Sequence, residues 1–401
     1  GDVDGDGLDE VAVSSYQASL SAGKTWILSG ADLSGSTSVG AIATASWQGA
    51  VEYTNAGRFL AGVGDVSGDG VPDLFLGSDR AGEVWVVSAD RTGSHTVDEA
   101  DTILSSDWLS LFGSAVAAAG DVDGDGYRDL LVSAPNTGQA AGTTYLFSGP
   151  LASGTLSPDD ARSSFTGATS DYAGYVLDGG QDLDGDGLPD VVVGTLYGPA
   201  SHGAVWVLTH PAAGETALSD ADAELLGSTY TDHMAASVAS VGDTDGDGYG
   251  DLAIAATADA DGGVAAGAVY LLKGPFVDGD IGTLAAAKYI GEPGSTLGTA
   301  LSAVGDLNAD GLADISAGAR YFDNYRGAAY VVYGPGGSGS IDISYADAIF
   351  KGGARSNYAG AALASADVTG DGALDLLITA TEWSGQGYQY CGGLYVMEAG
   401  Q

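Results

Sequence analysis

The residues of this chain best placed to do chemistry are aspartates, and they recur at a nearly fixed spacing. The phrase Asp-x-Asp-x-Asp-Gly-x-x-Asp, or a close variant, begins at Asp2, Asp65, Asp121, Asp182, Asp243, Asp306 and Asp367, at intervals of 56 to 63 residues. Self-similarity at that period is the signature of a repeat architecture. An oxygen-rich loop of this kind suits a hard cation. Calcium takes about six to eight oxygens from carboxylates, carbonyls and water at about 2.3–2.6 Å. Positions 1, 3, 5 and 9 would supply side-chain oxygens and position 7 a backbone carbonyl. Gly at position 6 lets the chain turn sharply, and all seven copies have it.

The candidate ligands follow copy by copy. Loop 1 offers Asp2, Asp4, Asp6, Leu8 and Glu10, and loop 2 offers Asp65, Ser67, Asp69, Val71 and Asp73. Loop 3 offers Asp121, Asp123, Asp125, Tyr127 and Asp129, and loop 4 offers Asp182, Asp184, Asp186, Leu188 and Asp190. Loop 5 offers Asp243, Asp245, Asp247, Tyr249 and Asp251, and loop 6 offers Asp306, Asn308, Asp310, Leu312 and Asp314. Loop 7 offers Asp367, Thr369, Asp371, Ala373 and Asp375. An EF-hand would need Glu at position 12 and flanking helices; here the last acid is at position 9. Magnesium prefers a rigid octahedron with several waters, and zinc prefers Cys or His. The expectation is Ca²⁺, up to seven ions.

Ser67, Asn308 and Thr369 leave loops 2, 6 and 7 with three carboxylates each, so these three should release calcium first. Twenty-five of the 54 acids fall at loop positions. Crowded carboxylates repel without a cation, so metal binding should contribute folding energy.

The wider composition bounds the partners. Lys+Arg is 12 against 54 Asp+Glu, a formal charge of −42. That excludes a nucleic-acid binder and a polybasic membrane-surface protein. No apolar stretch approaches the length of a membrane-spanning helix, so no direct membrane insertion is expected. A hydrophobic content of 45% is enough for a large core.

The elements that position the loops can be read from what flanks them. After each acidic phrase comes a short apolar run, such as Leu130-Leu131-Val132 or Val191-Val192-Val193. Its length and β-branching predict a strand. A Gly-x-x-aromatic strand follows, carrying Trp26, Trp85, Tyr145, Trp206, Tyr270, Tyr330 or Tyr395. A weaker third run ends near Gly. A fourth, rich in small residues, leads into the next loop from Gly57, Gly113, Gly174, Gly298 or Gly360, with Ala235 in one copy. A four-stranded antiparallel sheet of that size cannot bury both faces alone, whereas sheets stacked around an axis can. The predicted fold is all-β: a single seven-bladed β-propeller domain over 1–401, with blades of four antiparallel strands and a calcium hairpin in each. Two strands are unaccounted for at the seam, upstream of Asp2. Either a flanking segment supplies them or two blades have three strands.

These phrases resemble the FG-GAP repeat family, best known from the N-terminal seven-bladed propellers of integrin α subunits. Matching residues are Phe112-Gly113, then Gly120 to Leu130, then Ser133-Ala134-Pro135, and Gly142 to Tyr145. The resemblance covers essentially the whole chain. It implies calcium in the hairpin between the first and second strands of each blade. It also implies ligand binding by loops on the opposite face. The chain departs from that family in carrying the acidic phrase in all seven repeats, and Met234-Ala235-Ala236 stands where one lead-in Gly would be. The low cysteine count and Gly/Ala-rich composition look bacterial, and an integrin β partner is not implied.

No catalytic set is legible. His95, His202, His210 and His233 show no metal-ligand spacing and suit surface or inter-blade positions. The lone Cys391 suits a small buried hydrophobe. The expected function is an extracellular or cell-surface adhesion module for a protein or glycan ligand, part of a larger surface protein. A lectin is the alternative, and an enzyme domain less so. Candidate ligand loops are 16–23, 136–142, 196–203, 258–267, 321–327 and 382–393, with Tyr197, Tyr321, Phe322, Tyr325, Trp383, Tyr388 and Tyr390 among them.

Overall fold

The computed structural model describes residues 1–398 except 34, 36, 79, 199–201 and 383–391. Cys391, Trp383, Tyr388 and Tyr390 therefore lie outside the described residues. The chain folds into seven small sheets, one for each acidic loop. Blade 3 shows the plan. Its inner strand Val116–Gly120 runs into loop 3, Asp129–Ala134 returns, and Thr143–Phe147 and Ser163–Thr166 complete an antiparallel meander. The second strand is buried on both faces, which is why it reads as an unbroken apolar run rather than an alternating one.

Each blade buries its faces against its neighbours. Seven apolar clusters fill the seven junctions, for example Val86, Phe112, Leu130 and Phe147 between blades 2 and 3. The last junction joins blade 7 to blade 1 through Val11, Ala366, Val368 and Leu377. There the Asp9 N–H donates to the Asp367 carbonyl at 2.8 Å, and the Asp367 N–H donates to Asp9 Oδ2 at 2.9 Å. The ring is closed. Trp85, Trp206, Tyr270 and Tyr330 are buried between blades as expected, while Trp26, Tyr145 and Tyr395 are only half-buried.

The blades are not uniformly four-stranded. On leaving the third strand, the chain reaches back and adds a short parallel strand to the outer edge of the preceding blade. Gly93–Thr96 pairs with Ala43–Gln48 of blade 1 in this way, and Gly214–Ala217 pairs with Ser163–Thr166 of blade 3. Gly154–Leu156, Gly279–Asp280 and Gly339–Asp342 do the same for blades 2, 4 and 5. Blades 2 to 5 thus have five strands, so the expectation of four antiparallel strands is corrected. The missed signal is a short recurring phrase: a Gly, three residues, then a buried aliphatic such as Val97, Leu218 or Ile343 in a single helical turn. Its polar, exposed strand has no apolar alternation to betray it.

At the seam, the described residues of blade 7 form three strands. Blade 1 has three of its own, Val11–Ser15, Lys24–Leu28 and Ala43–Gln48, plus the one added by blade 2. A cavity of about 610 Å³ beside Val11–Ser15, lined by Val11, Leu60, Leu74 and Leu377, lies where the other blades place an inner strand. Among the described residues, no helix is long and apolar enough to cross a membrane.

The meander puts all seven acidic loops on one face of the ring, together with the links from third to outer strand. The opposite face carries the links from second to third strand and from outer to next inner strand. The Gly opening the third strand is there for contact in blades 3 and 6. A Cβ on Gly142 or Gly327 would come within 2.2 or 2.1 Å of the carbonyl of Ala173 or Ala359 in the next blade. The backbones of adjacent blades therefore touch at these positions.

Candidate metal centres and the opposite face

The acidic loops share one hydrogen-bonded frame. In every copy the position-6 Gly N–H donates to the position-1 carboxylate, from Gly7 to Asp2 at 3.0 Å through Gly372 to Asp367 at 2.8 Å. In every copy the position-7 N–H donates to the position-5 carboxylate, at 2.7 to 3.0 Å. The position-9 carboxylate accepts the position-2 N–H across the loop, from Val3 to Glu10 at 2.6 Å through Val368 to Asp375 at 3.1 Å. These bonds hold each loop closed.

The position-9 acids do a second job. Asp129, Asp251 and Asp314 also accept the N–H of Gly149, Gly274 and Gly334 at the end of the third strand, at 3.0, 3.1 and 2.9 Å. Each of the six position-9 aspartates is buried, Asp129, Asp251, Asp314 and Asp375 completely. In Asp73, Asp129 and Asp190, burial first and the neighbouring carboxylates second raise the proton affinity despite these hydrogen bonds. Asp73 and Asp129 are pushed up to about 6 and Asp190 to about 7. Glu10 and Asp314 are raised by the same desolvation. Asp243 goes the other way: burial pushes it up, but backbone N–H donors from Gly248, Gly246, Asp245 and Asp247 together outweigh it.

Carboxylate oxygens of Asp121, Asp123 and Asp129 lie within 4.8 Å of one another, as do those of Asp182, Asp184 and Asp190, and of Asp243, Asp245 and Asp251. In loop 1 the group is Asp2, Asp4 and Asp6. Positions 1, 3 and 9 thus come together in loops 3 to 5. Positions 1, 3 and 5 do so in loop 1. The position-3 substitutes bond within their own loops: Ser67 Oγ to Asp65 at 3.4 Å, and Asn308 Nδ2 to Asp310 at 3.0 Å. These donors are hard oxygens, the chemistry calcium prefers.

His210 departs from the sequence reading. It sits on the link after the third strand of blade 4, with Nδ1 3.5 Å from Asp184 and Nε2 against Asp186. It is therefore part of a loop-4 group with those two acids, rather than a bystander. His95 stacks on Trp47 with ring centroids 4.7 Å apart and pairs with Glu99 at 3.1 Å, an inter-blade position as expected.

On the opposite face, tyrosines gather at two blade junctions. Tyr197 packs against Tyr172 and Tyr175, with centroids 4.9 and 6.4 Å apart. Tyr321, Tyr325 and Tyr358 form a second group at 5.5 to 5.8 Å, with Arg320 over Tyr321. The sequence reading found Tyr197, Tyr321 and Tyr325 but not Tyr172, Tyr175 and Tyr358, which come from the links entering the inner strands. The available signal was the shared Tyr-Ala-Gly at 172–174 and 358–360.

The fold and its loops define a seven-bladed propeller with an acidic hairpin in each blade. Residues 112–147 and 297–332 match the FG-GAP repeat, and 182–254 match the FG-GAP-like repeat. Integrin alpha-5 of Xenopus laevis is 28% identical over 209 residues, 49% of this chain and 19% of that protein. Human integrin alpha-IIb is 35% identical over 150 residues, covering 34% of this chain and 14% of its own. Integrin alpha pat-2 of Caenorhabditis elegans is 27% identical over 262 residues, covering 56% and 19%. The chain spans about a fifth or less of the length of these relatives. Repeats, relatives and blade number all fit an integrin-like FG-GAP propeller.

Proposed function

We propose that the chain is a calcium-stabilised propeller serving as an extracellular adhesion or protein-interaction module. The observation that carries the calcium reading is the hydrogen-bonded frame repeated in all seven loops, with carboxylate oxygens within 4.8 Å of one another in loops 1, 3, 4 and 5. Asp2, Asp65, Asp121, Asp182, Asp243, Asp306 and Asp367 would each open a site. When bound, the ion would neutralise carboxylates that otherwise repel and tie inner strand to second strand in blades 2 to 7. Support for a binding role comes from the likeness to integrin α chains and from the tyrosines of the opposite face. Tyr175, Tyr197 and Tyr325 are each more than 40% exposed, and Tyr and Arg are the side chains enriched at interface hot spots.

The test has two arms. Titrating the chelated protein with calcium should show several ions bound and a large rise in melting temperature; absence of either refutes the metal reading. Beads coated with the calcium-loaded protein should then capture matrix or cell-surface proteins, and Tyr197→Ala should weaken capture. Binding confined to a glycan array would favour a lectin instead.

A further inference from the structure

The links from third to outer strand run past the acidic loops on the same face, and in three consecutive blades they bring a nitrogen-bearing side chain onto the loop. Arg162 Nε lies 3.1 Å from Asp123 in loop 3. Lys273 Nζ lies 3.1 Å from Asp251 and 3.7 Å from Asp245 in loop 5, and also donates to Thr244 Oγ1. His210 takes the same place in loop 4. The distribution is not random. These three loops carry Asp at position 3, and that Asp is contacted each time. In loops 2, 6 and 7 position 3 is Ser67, Asn308 or Thr369, so there is no carboxylate to pair. Loop 1 is the exception that serves as a reference: it has Asp4, but the corresponding link, 29–42, contains no Lys, Arg or His.

We infer that Arg162 and Lys273 are tethered counter-ions of loops 3 and 5, built-in cations that stabilise the metal-free loop and compete with calcium for it. The inference rests on the calcium reading above. Arg162 and Lys273 are only about a quarter exposed or less, at 26% and 18% of the side chain, so solvent screens them incompletely. A fourth carboxylate facing a fixed positive charge leaves the loop with a net of three. Loops 3 and 5 then carry no electrostatic advantage over loops 2, 6 and 7. Carboxylate count alone would rank them higher.

The prediction is a pair of opposite effects from one substitution. Lys273→Met should raise cation affinity at loop 5 about thirtyfold, the scale expected for removing a unit charge about 4 Å from a divalent ion even at the dielectric of water. The same change should lower the melting temperature of the chelated protein, because Asp245 and Asp251 lose their partner. Calcium should therefore lift Lys273→Met by more degrees than it lifts the parent. Lys273→Arg, which keeps the charge, should behave like the parent.

Tyrosine-sensitised terbium luminescence gives the site resolution, because Tyr127 and Tyr249 are the aromatics at position 7. In a Tyr127→Leu background, Tyr249 reports loop 5. It also packs beside Gly185 of loop 4, which serves as the internal reference. One of the two phases should move in Lys273→Met and the other stay. Unchanged terbium affinity, or equal melting losses in chelated and calcium-loaded protein, would overturn the inference, since a merely structural lysine would act that way. No terbium binding in the parent would instead overturn the calcium reading beneath it. Should Lys273→Met not fold, Lys273→Gln and Arg162→Met (the latter with Tyr249→Leu) put the same question.

Discussion

The buried position-9 acids make the metal-free protein a base-sensitive one. Asp73 and Asp129 titrate near 6 and Asp190 near 7, against an ordinary 3.8, because burial removes water from the charged form. A carboxyl with a raised folded pKa holds its proton more tightly when folded. It stabilises the protein fully below about pH 4 and loses that contribution as pH rises through 6 to 7. At about 1.4 kcal/mol per pH unit, the first two forfeit about 3 kcal/mol each and Asp190 about 4, on the order of 10 kcal/mol together. Unfolding entropy near 2.1 cal/mol/K per residue gives about 0.8 kcal/mol/K for a chain this long, so the fall is on the order of 10 °C. Calcium reverses the sign, since it binds only the deprotonated loops. The assay is a melting curve at pH 5, 6, 7 and 8, with chelator and with calcium. The chelated protein should lose stability across the range while the loaded protein gains it. Asp190→Asn keeps an acceptor for the Leu183 N–H and carries no charge. It should raise the chelated melting temperature at pH 8 by about 5 °C and leave it unchanged at pH 4.5. A chelated protein whose melting temperature is flat or climbs between pH 5 and 8 would refute the reasoning.

Loop 1, with four carboxylates and no basic residue in its link, should empty last when calcium is withdrawn, and Ser67→Asp should strengthen loop 2 about tenfold in a competition titration against a fluorescent chelator. Ala235 holds a φ of +60° where five of the other inner-strand entries have Gly, so Ala235→Gly should stabilise by about 1 kcal/mol in denaturant titration. The reverse change, Gly360→Ala, puts a Cβ 2.1 Å from the Ala328 carbonyl at a φ of +77° and should cost about 1–3 kcal/mol or more. Trp85, 1% exposed between blades 1 and 2, should cost about 3–5 kcal/mol on truncation to Ala, read from the denaturation midpoint.

The chain's local chemistry is legible without coordinates. An Asp-rich turn with Gly at position 6 can close on itself only in a few ways, so seven copies announce seven hairpins and the acids that face inward. The apolar run after each hairpin announces a strand buried on both faces, and seven such units of about 60 residues need a ring to cover them. Those inferences need only neighbours within one repeat.

What the sequence leaves open is every pairing made between repeats. The added outer strand of blade 1, Gly93–Thr96 on Ala43–Gln48, joins residues 48 apart through backbone hydrogen bonds, and Gly-Ser-His-Thr carries no pattern that names its partner. Arg162 and Asp123 are 39 residues apart in the chain and 3.1 Å apart in space, because two links happen to share one face. Tyr172 and Tyr358 join tyrosine groups only once outer-to-inner links are stacked beside second-to-third links. His210 is a surface residue, as its sequence suggests, but only the fold sets it against Asp184 and Asp186. Hydrogen-bonded turn chemistry is encoded within a loop; register, face and the company a side chain keeps are decided when the seven sheets close against one another.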